Sequence, residues 1–84
     1  MSQPRKTILF VDDEANILAG LRRMLRGLRP TMDLQFADSG EQALAVLATQ
    51  PVDVLVTDMR MPGMDGAQLL EQVQQRWPHV VRML

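Results

Sequence analysis

Apolar and polar positions change period several times along this chain, and each change marks an element. Thr7 to Val11 is a continuous apolar run that predicts a buried strand. From Ala15 to Leu28 the period lengthens, with Ile17, Leu18, Leu21, Met24, Leu25 and Leu28 on one face of a helix that Gly27 and Pro30 help to stop. Asp33 to Ala37 alternates, with Leu34 and Phe36 on either side of Gln35, as an edge strand does. Ser39 and Gln42 have the spacing of a capping box, and the helix behind them buries Ala43, Leu44, Leu47 and Ala48 before Pro51 ends it. Val52 to Thr57 is the second apolar strand. Asp65 is suited to cap a third helix that turns Leu69, Leu70, Val73 and Trp77 inward until Pro78 breaks it. Val80 to Leu84 opens a fourth strand.

The resulting βαβαβαβ order is that of an α/β protein with a parallel sheet and right-handed crossovers. The two wholly apolar strands need cover on both faces and belong in the middle, which predicts the strand order 2-1-3-4. No internal repeat, linker or low-complexity tract interrupts the pattern. The fourth strand has the composition of an interior one, yet nothing after Leu84 would pair with its far edge. The chain is therefore expected to be a truncated piece of a longer protein, and the apolar surface so left uncovered to favour a homo-oligomer.

Open α/β sheets place their chemistry at the carboxyl ends of the strands. The first apolar strand ends in Asp12-Asp13-Glu14 and the second in Asp58. Adjacent strands lie only ~5 Å apart, so three carboxylates would meet at one edge. Such a group suits a hard cation, and Mg²⁺ takes one or two carboxylates together with waters and phosphate oxygens. Asp13 and Asp58 fit as ligands, and Asp12 as the holder of a coordinated water. A carboxylate placed there can also attack phosphorus. The segment Met59-Arg60-Met61-Pro62-Gly63-Met64-Asp65-Gly66 turns tightly beside this edge, where a backbone carbonyl would complete the coordination sphere. Plainer roles exist for each residue: Asp12 and Asp13 as caps of the first helix, Asp58 as the cap of a turn, Glu14 as first-turn charge, and Met59, Met61 and Met64 as core filler. His79, the only histidine, falls at the opposite end of its strand.

Composition narrows the classes. Eighty-four residues make one domain, and 46% hydrophobic with 23% charged residues argues against disorder. A net charge of −1 offers no field for nucleic acid or an anionic membrane. Arg22, Arg23, Arg26 and Arg29 gather in one segment, which reads as a solvated face near a helix C-terminus. The absence of cysteine excludes disulfides and thiolate metal sites and fits a cytoplasmic location. Asp12 and Asp13 cut short the only apolar run near the N-terminus, which leaves no signal-peptide core, and no segment approaches the ~20 apolar residues of a membrane span.

Ile8-Leu9-Phe10-Val11-Asp12-Asp13-Glu14, Ala37-Asp38-Ser39-Gly40-Glu41-Gln42-Ala43-Leu44 and Val54-Leu55-Val56-Thr57-Asp58 with the following Met59–Gly66 loop together resemble the receiver domain of bacterial two-component response regulators. The resemblance covers essentially residues 1–84, with no second domain. It implies a flavodoxin-like fold, of strand order 2-1-3-4-5 when complete, and a signalling module rather than an enzyme. It implies that Asp58 is the phospho-acceptor for a sensor histidine kinase, that Asp12 and Asp13 are the acidic pair around Mg²⁺, and that Arg60 lends a backbone carbonyl to the metal. The family's phosphoryl-binding Ser or Thr at the end of the fourth strand and Lys at the end of the fifth would lie beyond Leu84, so phosphorylation and output are expected to be impaired. Two other readings stand beside this one. A Mg²⁺-dependent phosphatase or phosphotransferase with an aspartyl nucleophile is disfavoured, because Arg60 occupies the place where such enzymes often carry a second carboxylate; an oligomerising interaction module with an idle acidic site is the alternative.

Overall fold

A computed structural model describes residues 5–28 and 30–84 of the chain. Four strands, β1 (Lys6–Val11), β2 (Met32–Ala37), β3 (Val54–Thr57) and β4 (Val81–Met83), alternate with three helices, α1 (Ala15–Met24), α2 (Gly40–Thr49) and α3 (Gly66–Arg76). All strand pairs are parallel and the order is β2-β1-β3-β4, as the distribution of apolar residues requires.

Register decides which side chains share a face. Leu9 lies beside Gln35 and Leu55, Val11 beside Ala37 and Thr57, and this face receives α2 and α3. The main core forms here, where Leu9, Leu55, Leu69 and Val73 are fully buried and Val11, Ala37, Ala43, Leu47, Val52, Met61 and Val80 complete the cluster. Each fully buried Leu or Val contributes about 1.5–3 kcal/mol by leaving water. The opposite face carries Ile8, Phe10, Leu34, Phe36, Val54 and Val56, and α1 lies against it. Phe10 and Phe36 are register partners whose rings stack with centroids 5.6 Å apart. Arg22 of α1 holds its guanidinium 4.6 Å from the Phe36 ring centre, so this arginine is more than a solvated charge. Arg23 and Arg26 are exposed as expected; Arg29 and residues 1–4 lie outside the described residues.

The first helix is shorter than its periodicity predicts. After Met24 the chain tightens into a 3-10 turn over Arg26–Leu28, with Leu28 N–H bonded to the Leu25 carbonyl, because Gly27 weakens helix propagation just there. The apolar stripe is also wider than the surface it meets. Leu18 is buried, but Ile17, Met24 and Leu28 stand 46%, 77% and 40% exposed. On the same sheet face Val81 and Met83 of β4 are about half exposed, although their composition reads as interior.

Capping follows the expected residues with one shift. Asp65 and Gln68 form a complete capping box at α3. At α2 the Ser39 hydroxyl accepts the Gln42 N–H, but the Gln42 side chain accepts the N–H of Asp38 rather than that of Ser39. At the amino edge Asp53 joins three strands. Its carboxylate accepts the Thr7 N–H at 2.8 Å, its own N–H bonds the Thr7 carbonyl, and its carbonyl accepts the Val81 N–H. Trp77 packs half-buried against the core, and His79 is exposed at the amino end of β4, far from the carboxyl edge. Among the described residues no helix is long and apolar enough to cross a membrane.

Candidate functional site

The two central strands deliver the acidic residues to one place by continuing the sheet's ladder past its formal end. Asp58 donates its N–H to the Val11 carbonyl at 2.9 Å, and Asp12 donates to Ala37 at 3.1 Å. With the backbone fixed on both sides, Asp12, Asp13 and Asp58 each present a carboxylate oxygen, and the three oxygens lie within 4.8 Å of one another. Asp12 and Asp58 are half-buried and Asp13 is exposed.

Neither Asp12 nor Asp13 caps α1. One Asp12 oxygen accepts the Glu14 N–H at 2.9 Å, which stabilises the bend before the helix and leaves the second oxygen for the cluster. Glu14 occupies the N-cap position without a side-chain bond, so it is not a first-turn charge inside the helix. Among the described residues the carboxylates of Asp13 and Asp58 accept no hydrogen bond. An open cavity of about 180 Å³ lies beside Asp12 and Asp58, with Phe10, Leu21 and Val56 in its walls. Three oxygen donors with no histidine or cysteine among them fit a hard cation such as Mg²⁺ and not a soft one.

The loop from Met59 to Asp65 is pinned at several points. Met61 is buried in the main core and Met64 packs at its margin, whereas Met59 is 45% exposed and fills no gap. Gly63 has φ +72°, a conformation that favours glycine. The Gly66 N–H closes the loop onto the Met59 carbonyl at 2.9 Å, and the Thr57 hydroxyl donates to the Asp58 carbonyl at 3.0 Å. The carbonyls of Asp58 and Met59 are thus engaged. Among the described residues that of Arg60 accepts no hydrogen bond, and the residue is exposed. The sequence pattern places Gly66 in the tight loop beside the site but assigns Thr57 no role; a hydroxyl at the last position of an apolar strand is its available signal.

A family model described as "Response regulator receiver domain" matches residues 8–84. The hydrogenase transcriptional regulatory protein HoxA of Cupriavidus necator is 40% identical over all of this chain and 17% of its own length. The DNA-binding transcriptional regulator NtrC of Salmonella typhimurium is 43% identical over 88% of this chain and 15% of its own. The chain thus spans about a sixth of these curated relatives. Among solved structures, the signal receiver domain of an HD domain-containing protein from Pseudomonas fluorescens superposes with a TM-score of 0.89 at 37% identity, over 94% of this chain and 62% of that one. The response regulator TrrA of Thermotoga maritima, solved in complex with Mg²⁺ and BeF, gives 0.83 at 29% identity, over 94% of this chain and 67% of that one. With its flavodoxin-like sheet and an acidic cluster where receiver domains bind Mg²⁺, the chain belongs to the response regulator receiver domain family.

Proposed function

We propose that the chain is a phospho-acceptor module that takes a phosphoryl group from a sensor histidine kinase onto Asp58, in the cytoplasm and with Mg²⁺ bound. The observation that carries this reading is the convergence of three carboxylates within 4.8 Å at the ends of two adjacent parallel strands. Asp13 and Asp58, whose carboxylates accept no hydrogen bond among the described residues, are the metal ligands. Asp12 offers its second oxygen to the metal or to a water beside it. Arg60 supplies the backbone carbonyl, because those of Asp58 and Met59 are already occupied. In the transfer an Asp58 oxygen attacks phosphorus, the new O–P bond forms as the P–N bond to the donor imidazole breaks, and the electron pair leaves with the nitrogen. When bound, Mg²⁺ neutralises charge on the equatorial phosphoryl oxygens.

Amide NMR of the chain with Mg²⁺ and then beryllofluoride tests the assignment. Shifts are expected at Asp13, Asp58 and Arg60, and their absence in both titrations would dismiss the site.

A second reading rests on the apolar residues left in water. Ile17, Met24, Val81, Met83 and Leu84 are each 46% exposed or more, and surfaces of this kind mark association sites. Homo-oligomers that bury them are expected in sedimentation; a monomer at high concentration would count against the idea.

A further inference from the structure

The Asp58 carbonyl is bonded by one residue and closely approached by another, and the proposed chemistry leaves both without a task. Thr57, 2% exposed at the end of β3, donates its hydroxyl to that carbonyl at 3.0 Å. Its backbone register with Val11 places the side chain on the main-core face. A valine would fill the same space, and a buried hydroxyl is costly unless it is bonded. The hydroxyl's single bond among the described residues is therefore its physical justification. Gly66, the first residue of α3, lies close against the same group. A Cβ there would collide with the Asp58 carbonyl oxygen and stand 2.9 Å from the Met59 Cα, both main-chain atoms that cannot swing aside. The Gly66 N–H meanwhile holds the Met59 carbonyl.

A peptide unit is planar, so fixing its carbonyl fixes the direction in which the chain leaves the preceding residue. With the Asp58 N–H held by the Val11 carbonyl, holding the 58–59 peptide pins the residue at both ends and so sets how its side chain projects and how the chain sets off toward Arg60. We propose that Thr57 and Gly66 are positioning residues for the acidic site, holding the Asp58 peptide in the orientation that brings its carboxylate to Asp12 and Asp13. This rests on the metal-binding reading above.

Mg²⁺ titrations of the chain, followed by calorimetry and amide shifts, separate the two ideas. Thr57→Val is expected to weaken Mg²⁺ about 10-fold, the low end for a residue that orients a ligand, with little change of melting temperature in EDTA. Thr57→Ser, which keeps the hydroxyl, is expected to return the affinity to within about twofold of the parent. Gly66→Ala should lose at least as much as Thr57→Val, while Gly20→Ala, whose new methyl meets nothing within 4 Å, should bind as the parent does. If Gly66→Ala does not fold, the threonine pair decides alone. Equal affinity of Thr57→Val and the parent overturns the positioning role and leaves the metal site standing, as does a serine variant no better than the valine. A parent chain that binds no Mg²⁺ removes both.

Discussion

Replacing Asp58 by asparagine should make the metal-free chain more stable and the Mg²⁺-loaded chain less so. Three carboxylates within 4.8 Å of one another repel. At that distance a pair of unit charges costs about 0.9 kcal/mol at the dielectric of water, and physiological salt reduces this by about half. Asp58 faces two such neighbours, so neutralising it at constant shape relieves about 1 kcal/mol. For a chain of this size that corresponds to a rise of roughly 4–8 °C in melting temperature. Its carboxylate accepts no hydrogen bond among the described residues, so asparagine forfeits none. In Mg²⁺ at a hundred times its dissociation constant the parent gains about 2.7 kcal/mol, a gain the variant forgoes, and the order inverts. Melting curves of both proteins in EDTA and in Mg²⁺, each at low and high salt, read out the crossing. An asparagine variant that melts below the parent in EDTA would refute the account of the cluster as a strained set of like charges.

Arg60→Ala should leave Mg²⁺ affinity unchanged within about threefold, since the proposed ligand is its backbone carbonyl, which alanine keeps, and exposed charges act weakly in salt; calorimetry checks it. Leu9→Ala, at a fully buried position in the central strand, should cost about 2–5 kcal/mol in chemical denaturation. Asp65→Ala removes the acceptor arm of the capping box and should cost about 0.5–2 kcal/mol, seen in denaturation and in faster amide exchange through the first turn of α3.

Sequence pattern carried far where it recorded burial on both sides. The runs Ile8–Val11 and Val54–Thr57 could only be central strands, and their terminal aspartates then had to meet, which the register of Val11 with Thr57 bears out. It carried less far where geometry depends on single hydrogen bonds between distant backbone groups. Nothing in the polarity of Asp53 announces that its carboxylate receives the Thr7 N–H. The early end of α1 and the exposure of Ile17, Met24 and Leu28 were hidden for another reason. Periodicity reports that a stripe is apolar, not how wide a surface awaits it.

The bond from Asp58 N–H to the Val11 carbonyl gives the site a mechanical meaning. A cation bridging Asp13 and Asp58 would stitch together two strands that the chain separates by two helices and the edge strand. Because the two carboxylates meet only when those strands lie side by side, the ion would bind the folded chain and not the unfolded one, and so hold the pairing by mass action. Proteolysis between β1 and β3 would then slow as the ion is added and quicken as it is removed.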